Sequence, residues 1–209
     1  MRPLAARVKS SCMTPVDYYE ANVDEYCRST VGLDMTSVYR RFLSELAPGS
    51  HILDAGCGSG RDSKVFLQSR HTVTAFDASP EMARFATAYT GQKCRVLRFQ
   101  EVDFQEKFDA IWACASLLHV PKCEMESVLR RLIAVLRNGG IMYVSFIEGE
   151  GERVAADGRL YNSYTAKSLR ELLEGMSMVG EIAFWRSDEI PSSDQRAPWL
   201  NCLFKKSMG

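Results

Sequence analysis

Leu53-Asp-Ala-Gly-Cys-Gly-Ser-Gly60 includes the end of a short apolar run that starts at His51. A helical pattern begins directly after Gly60. The run predicts a buried strand, and the segment after it predicts a turn into a helix. Three glycines in five positions let the chain turn tightly and let a ligand approach bare backbone. Because ligands of a doubly wound sheet bind beyond the carboxyl ends of its strands, this glycine loop, residues 56–60, predicts a binding site.

An acidic residue ends the next predicted strand, Thr72-Val-Thr-Ala-Phe-Asp77, 23 positions after Asp54. A carboxylate in that place can accept hydrogen bonds from both hydroxyls of a ribose. The glycine loop and Asp77 together therefore predict a nucleoside site. The alternative is a structural turn in which Asp54 caps the following helix.

The glycine spacing distinguishes between nucleoside cofactors. A dinucleotide fingerprint has the form G-x-G-x-x-G, whereas here the third glycine comes one residue early and Arg61 takes its place. Asp54 would repel a pyrophosphate, but a carboxylate there suits a cofactor that carries an ammonium group and a sulfonium. The pattern therefore argues against a nicotinamide-dependent oxidoreductase.

Strands and helices alternate along most of the chain. Before the glycine loop, apolar residues three and four apart predict two helices, over residues 17–29 and 36–46. The strand patterns that follow are residues 51–54, 72–77, 94–99, 108–114 and 141–147, and the helix patterns between them are residues 62–69, 80–90 and 122–136. Ser79 and Pro80 are start signals for the second of these helices, and Asn138-Gly-Gly140 is a stop signal for the third. This alternation predicts an α/β fold with a doubly wound, mostly parallel sheet and helices on both faces.

The C-terminal part begins with a polar, glycine-rich stretch over residues 148–164, which predicts a solvated loop. Thr165 then caps a helix that ends near Glu174. Residues 181–185 and 199–205 are two further strand patterns, and they bring the expected sheet to seven strands. The connection between them suits an antiparallel hairpin at the edge of the sheet, because it contains Pro191, Ser192, Ser193 and Pro198.

The sequence predicts a single domain over residues 1–209, because no repeat or linker divides the chain. Its expected parts are a flexible segment at 1–12, a helical cover at 13–49, a cofactor-binding core at 50–147 and an acceptor-side loop, helix and hairpin at 148–209.

The composition describes a chain that folds and carries no global charge. It is 46% hydrophobic, and 26 basic residues balance 26 acidic ones, so no positive field exists to hold nucleic acid. Seven cysteines without a C-x-x-C pair argue against a disulfide framework or a structural zinc site. The longest apolar run, Ile111 to Val120, is far shorter than the ~20 residues of a membrane span. We expect a cytoplasmic monomer or homodimer with no metal and no membrane contact.

Longer motifs carry a family resemblance. The glycine loop with Asp54, and Phe76-Asp-Ala-Ser-Pro-Glu-Met82, resemble motif I and the acidic second-strand end of the class I, Rossmann-like, S-adenosylmethionine-dependent methyltransferases of the bacterial small-molecule type. The likeness continues through the strand ending at Cys114 and through Leu136-Arg-Asn-Gly-Gly140, over roughly residues 50–147. The segment from Tyr18 to Tyr26 is similar to the helix that covers the cofactor in many small-molecule members.

The resemblance implies S-adenosylmethionine as cofactor, S-adenosylhomocysteine as its product, and a set of cofactor contacts. Asp77 would bind the ribose, Glu101 would approach the adenine amino group, and Cys114 would face the methionine part through its backbone. The remaining implied cofactor residues are Asp54, Gly56, Cys57, Gly58 and Gly60 on the methionine part, Ser79 and Met82 beside the adenine, and Tyr19 in the covering helix. Cys57 as a nucleophile is the alternative, but no paired base is evident.

The acceptor side follows from the chemistry of methyl transfer. An in-line displacement needs placement above all, and a base matters only when the acceptor arrives protonated. His119, just after the fourth strand and with an ordinary pKa in the useful range, is the candidate base; the alternative is a histidine that caps or packs against the next helix. The candidate acceptor-binding residues, with solvated loop residues as the alternative, are Tyr18, Tyr26, Arg153, Tyr161 and Tyr164.

The predicted function is methyl transfer from S-adenosylmethionine to a small-molecule acceptor. The Arg130-Arg131 and Lys205-Lys206 pairs leave methylation of a tRNA or another RNA base as an alternative. A cofactor-binding regulator without catalysis is the alternative from another class.

Overall fold

The computed structural model describes residues 13–188 and 198–208. The predictions for residues 1–12 and for the connection through Pro191, Ser192 and Ser193 lie outside the described residues. The helices of the described part are α1 Pro15–Ala21, α2 Val23–Thr30, α3 Thr36–Leu43, α4 Arg61–Gln68, α5 Pro80–Thr90, α6 Lys122–Val135 and α7 Ala166–Glu174. Its strands are β1 His51–Ala55, β2 Thr72–Asp77, β3 Cys94–Val96, β4 Phe108–Ala113, β5 Leu136–Ile147, β6 Glu152–Val154, β7 Leu160–Asn162, β8 Val179–Ser187 and β9 Trp199–Lys206. Two 3₁₀ turns, Phe99–Glu101 and Leu117–His119, follow β3 and β4.

The main sheet has seven strands in the order β3-β2-β1-β4-β5-β9-β8. The pairs from β3 to β5 are parallel, and β9 runs antiparallel to both β5 and β8. The predicted sheet and its C-terminal hairpin are confirmed, with the antiparallel strand lying one place in from the edge. Because β1 and β4 are neighbours although β2 and β3 come between them in the chain, their carboxyl ends open a crevice at the switch point of the sheet.

Both faces of the sheet are covered, as predicted. Along β4, Ile111 packs in a cluster with α6 and α7, whereas Trp112 packs on the other face with α3 and α4. Met142 and Tyr143 of β5 divide in the same way, and all four side chains are 0% exposed. Successive strand residues point to opposite faces, so burial of both requires helices on both sides.

The N-terminal helical cover differs from the prediction in one respect. The helix expected over residues 17–29 is broken, because α1 ends at Ala21 and α2 begins at Val23. Asn22 stands between them, and its side-chain amide donates a hydrogen bond to the Tyr18 carbonyl oxygen at 2.7 Å. An asparagine side chain that bonds nearby backbone competes with the helical hydrogen-bond ladder, which explains the break.

The junction of α6 and β5 also differs. β5 begins at Leu136, directly after the helix, and its register against β4 shifts between Phe108 and Ala110, so residues 137–140 form a bulge. The Lys206 ammonium donates to the carbonyl oxygens of Ile133 and Leu136, each at 2.8 Å. These bonds satisfy carbonyls at the end of the helix and let the chain enter the sheet without a separate stop.

The stretch expected as a solvated loop, residues 148–164, contains β6 and β7, which pair antiparallel as a separate two-stranded sheet. The loop prediction is wrong for these residues. Each strand is only three residues long and all of β6 is exposed, so no alternation of apolar residues marks them in the sequence. No helix in the described ranges combines the length and apolar character needed to cross a bilayer.

The glycine loop ends at a crowded position, which gives a first prediction. Gly60 and Gly91 both have φ of +75°, but a β-carbon on Gly60 would lie 2.9 Å from Thr90 Cγ2 and 3.1 Å from Ala86 Cβ, whereas Gly91 faces open space. Gly91→Ala is therefore expected to cost only backbone strain, about 1 kcal/mol. Gly60→Ala adds overpacking, for a total of about 2 to 4 kcal/mol. Denaturant unfolding of both variants checks this, and equal losses would show that packing against α5 does not constrain the loop.

Candidate active site

A cavity of about 300 Å³ lies at the carboxyl ends of β1, β2 and β4, where the switch point was expected. Predicted site residues that line it are Gly56, Gly58, Asp77, Ser79, Met82, Tyr19, Tyr26 and His119. Further residues that line it, not singled out from the sequence, are Thr14, Pro15, Val16, Ala78, Arg98, Phe99, Gln100, Ala115, Ser116, Val120, Pro121 and Leu160. The cavity is therefore formed by the strand ends below and by α1 and β7 above.

The glycine loop is held over the end of β2. The backbone N–H groups of Gly56 and Cys57 both donate to the Phe76 carbonyl oxygen at 2.9 Å. A β-carbon on Gly56 would lie 2.6 Å from the Ser116 β-carbon, so only glycine fits between the loop and the segment after β4. Ser116 in turn donates its hydroxyl to the Ala55 carbonyl oxygen at 2.8 Å. These contacts fix the loop so that its backbone forms one wall of the cavity.

Asp77 stands at the end of β2 with its carboxylate at the cavity wall. One oxygen accepts the Gly58 N–H and the other accepts the Ser79 N–H, each at 2.9 Å. Burial raises the pKa of Asp77, and these backbone hydrogen bonds limit the rise. Each oxygen keeps a further lone pair, so the carboxylate can accept two hydroxyls from a ligand in the cavity.

The start of α5 is tied to α1. The Ser79 side chain caps α5 by accepting the Met82 N–H at 3.1 Å, as the sequence predicts, and its hydroxyl donates to Glu20 of α1. The same Glu20 oxygen accepts the Glu81 N–H at 3.0 Å. A carboxylate at a helix N-terminus is favoured by the helix dipole, so Glu20 holds α1 across this end of the cavity.

Tyr19 and His119 form a hydrogen-bonded pair in the cavity wall. His119 Nδ1 lies 2.6 Å from the Leu160 carbonyl oxygen, which can only accept, so Nδ1 carries the proton. Nε2 is then an acceptor, and the Tyr19 hydroxyl donates to it at 2.8 Å. Burial lowers the pKa of His119 to about 4 and raises that of Tyr19 well above 10, so both groups are neutral near pH 7. The expectation of a histidine pKa in the useful range is wrong for this reason.

An arginine and two aromatic rings lie behind this pair. The Arg159 guanidinium carbon is 3.9 Å from the ring centre of Tyr18 and 5.3 Å from that of Tyr161, and Asp157 accepts two of its hydrogen bonds. The positive charge of Arg159 acts against the burial that raises the pKa of Tyr19. The charge of Arg159 is therefore matched by Asp157.

Of the other candidate acceptor residues, only Tyr26 lines the cavity, whereas Arg153, Tyr161 and Tyr164 do not. Tyr161 and Tyr164 are 5% and 6% exposed, so they are packed rather than solvated, and the Tyr161 ring contacts His119. Arg153 is exposed and stacks on Tyr161 at 4.8 Å. Tyr26 does reach the cavity, where its ring covers Gly58.

Several residues expected at the cofactor lie outside the cavity lining. Cys57 and Gly60 of the glycine loop and Cys114 after β4 do not line the cavity. Glu101 accepts the Arg98 N–H at 2.9 Å beside a neighbouring groove. Asp54 is 2% exposed beneath the loop and accepts the Ser63 hydroxyl at 2.6 Å. Among the described residues, no group of three or more His, Cys, Asp or Glu side chains is arranged to hold a metal ion.

Asp54 gives a prediction about stability and pH. Burial, with the nearby Asp62 carboxylate, raises its pKa to about 8, whereas an aspartate in the unfolded chain has a pKa of ~3.9. Between these values the folded protein holds a proton that the unfolded chain has released. Asp54 therefore lowers the free energy of unfolding progressively as pH rises from about 4 to about 8. The asparagine side chain in the Asp54→Asn variant is neutral at every pH. The free energy of unfolding of this variant, relative to that of the wild type, should therefore rise by more than about 1 kcal/mol between pH 5.5 and pH 8.5.

Urea unfolding at several pH values measures this difference. Asp103→Asn, at an exposed position, is the control, and its free energy of unfolding should change with pH as that of the wild type does. If Asp54→Asn also runs parallel, the carboxyl is ionised in the folded state and the account of its burial is wrong.

Comparison with known proteins finds similarity to methyltransferases. Residues 52–140 match the family model of a methyltransferase domain. The chain is 29% identical over 105 residues to a ubiquinone biosynthesis O-methyltransferase of Xanthomonas campestris, covering 47% of this chain and 43% of that protein. It is 27% identical over 182 residues to a phosphoethanolamine N-methyltransferase of Triticum aestivum, covering 80% of this chain and 35% of the relative. The chain thus spans less than half the length of these curated relatives.

A solved structure is similar over nearly the whole chain. The 1,6-didemethyltoxoflavin-N1-methyltransferase of Burkholderia thailandensis, solved with 1,6-didemethyltoxoflavin and S-adenosylhomocysteine bound, superposes with a TM-score of 0.69 at 25% identity. The match covers 99% of this chain and 93% of that one.

Proposed function

The chain belongs to the class I S-adenosylmethionine-dependent methyltransferases, and from this premise we propose that it transfers a methyl group from S-adenosylmethionine to a small-molecule acceptor. The observation that carries the proposal is that Asp77, the glycine loop and the Tyr19–His119 pair line the same cavity. A nucleoside site and a proton-accepting site are thereby adjacent.

The residues of the cavity fit the cofactor. Asp77 offers two carboxylate oxygens with free lone pairs, which is the acceptor set that a ribose diol requires. Gly56 and Gly58, at φ of +75° and +52°, present bare backbone beside it. Met82 and Phe99 supply apolar walls suited to a purine ring. We assign the ribose to Asp77, the adenine to the Met82 side and the methionine part to the glycine loop.

The Tyr19–His119 pair is proposed to accept the proton of the acceptor. S-adenosylmethionine, held by Asp77 and the glycine loop, would supply a methyl group activated by a positively charged sulfur. The Tyr19 oxygen takes the proton from the acceptor's hydroxyl or amine, and the tyrosine's own proton passes to His119 Nε2. The Leu160 carbonyl holds the resulting imidazolium through Nδ1. The positive charge that His119 gains replaces the sulfonium charge that is lost on methyl transfer, so the net charge of the site stays the same. This compensation offsets the cost of charging a buried histidine.

A small-molecule acceptor is favoured by the form of the site. The cavity is closed above by α1 and by Leu160 of β7, and its volume of about 300 Å³ is that of a small-molecule pocket rather than of a groove for a duplex or a structured RNA. The relatives named for ubiquinone biosynthesis, phosphoethanolamine and a toxoflavin precursor support the same acceptor class.

The test is incubation of the protein with methyl-labelled S-adenosylmethionine and two acceptor pools. A metabolite extract should yield labelled product and S-adenosylhomocysteine, and total tRNA should not. Label in tRNA alone would overturn the acceptor class. Tight binding of S-adenosylhomocysteine in calorimetry without turnover in either pool would favour a non-catalytic regulator.

A further inference from the structure

Two cysteine sulfurs lie in contact behind the glycine loop. Cys57 Sγ is 3.3 Å from Cys94 Sγ, and the two residues are 8% and 7% exposed. Cys57 stands between Gly56 and Gly58, both of which line the cavity, whereas Cys94 is the first residue of β3. The methyl-transfer chemistry proposed above uses neither thiol.

The fold brings these two sulfurs together for a specific reason. The Cys57 N–H donates to the Phe76 carbonyl oxygen, so the loop lies over the end of β2. Cys94 is paired with Ala75 on the other side of β2. Ala75 and two alanines of α5 complete this small apolar cluster, and their short side chains leave room for the sulfurs to meet. The contact thus follows from strand pairing and from the loop hydrogen bonds.

We propose that Cys57 and Cys94 are a modification site, at which a peroxide forms a reversible disulfide that weakens cofactor binding. This inference rests on the proposed function of the cavity. In the first step, one sulfur attacks the peroxide, the O–O bond breaks, and a sulfenic acid and one water result. The second thiol then displaces the sulfenic oxygen as a second water, forming the S–S bond. In total two thiols and one hydrogen peroxide give one disulfide and two waters.

Closing the bond must move the loop. A disulfide has an S–S length of about 2.05 Å, so the sulfurs have to approach by more than 1 Å. Cys57 is anchored to the backbone that lines the cavity, and the next N–H along, that of Gly58, donates to Asp77. A shift of Cys57 toward β3 therefore disturbs the cavity wall and the carboxylate assigned to the ribose.

Both cysteines are free thiols in this structure. The hydrogen bond with Cys94, together with burial, raises the pKa of the Cys57 thiol, so little thiolate is present near neutral pH. The pair should therefore react slowly, and only with an excess of oxidant.

The test compares the full chain before and after treatment with hydrogen peroxide. Non-reducing peptide mapping should find the Cys57 and Cys94 peptides joined, at a mass two hydrogens below their sum. Calorimetric affinity for S-adenosylhomocysteine should fall at least fivefold and return with dithiothreitol. Cys94→Ser should keep its affinity under the same treatment, and Cys94→Ala serves if the serine variant does not fold. Cys123→Ser, which removes an exposed thiol, should respond like the wild type.

Each other outcome overturns the inference. No linked peptide means that the thiols do not form the bond, and unchanged affinity of the linked protein means that the bond does not reach the cavity. A fall in affinity that persists in both Cys94 variants assigns the effect to another group. Failure of the reduced wild type to bind S-adenosylhomocysteine would instead refute the proposed function, so the two failures are distinguishable.

Discussion

Tyr19→Phe is expected to lower kcat by about 100-fold or more, within the usual range of general acid–base catalysis. The substitution keeps the ring and its contacts with Tyr26 and His119 but removes the hydroxyl that bonds Nε2. Because that hydroxyl is assigned to the acceptor and not to the cofactor, affinity for S-adenosylhomocysteine should stay within about threefold. Release of S-adenosylhomocysteine at saturating cofactor measures the rate, and calorimetry measures the affinity.

Tyr89→Phe is the control for Tyr19→Phe, since Tyr89 is exposed on α5 and should behave as the wild type. A kcat that falls less than threefold in Tyr19→Phe would remove the pair from the mechanism. A large loss of cofactor affinity with little loss of kcat would reassign Tyr19 to the cofactor.

The pH profile gives a second readout of the same pair. Because burial lowers the pKa of His119 to about 4, the imidazole remains neutral and able to accept the Tyr19 proton throughout the range from pH 6 to pH 8. No decline of kcat on the acid side of neutrality is therefore expected from this group. A fall with a midpoint near 6.5, lost in His119→Gln, would show a solvated histidine instead.

Asp77→Ala is expected to raise the Kd for S-adenosylhomocysteine about 10- to 100-fold, as for loss of hydrogen bonds to a charged group. The carboxylate serves two purposes, because it also accepts the Gly58 and Ser79 N–H groups that shape the cavity. Asp77→Asn keeps one acceptor oxygen and the same shape, so its Kd should lie between those of the wild type and the alanine variant. Calorimetry measures all three proteins.

Asp103→Ala, at an exposed position before β4, is the control for Asp77→Ala and should bind as the wild type does. Thermal unfolding shows whether Asp77→Ala remains folded at the temperature of the titration. An unchanged Kd in a folded Asp77→Ala protein would contradict the ribose assignment.

The sheet was predictable because strands that are buried on both faces, such as β4 and β5, contain long runs of apolar residues. The two short strands above the cavity, β6 and β7, were less predictable. Each strand has only three residues, which is too short for an alternation of apolar and polar residues to appear in the sequence. Leu160 of β7 nevertheless lines the cavity, and its carbonyl oxygen fixes His119. That contact joins residues 41 positions apart, which no local spacing encodes.

The alternation of side chains along β1 accounts for the placement of Asp54. Side chains alternate along a strand, and on β1 Leu53 and Ala55 pack on one face while Ile52 packs on the other. Asp54 shares a face with Ile52 and therefore points under the loop toward Ser63 of α4 rather than into the cavity. Its burial, and the pKa shift that follows, depend on packing that the sequence alone does not describe.

The most direct test of the whole account is a crystal structure of the full chain grown with S-adenosylhomocysteine. We expect both ribose hydroxyls to lie on the Asp77 carboxylate, the adenine to lie against Met82, and the sulfur end to face Tyr19 and His119. Density for the ligand outside this cavity, or inside it with Asp77 making no contact to the ribose, would contradict it.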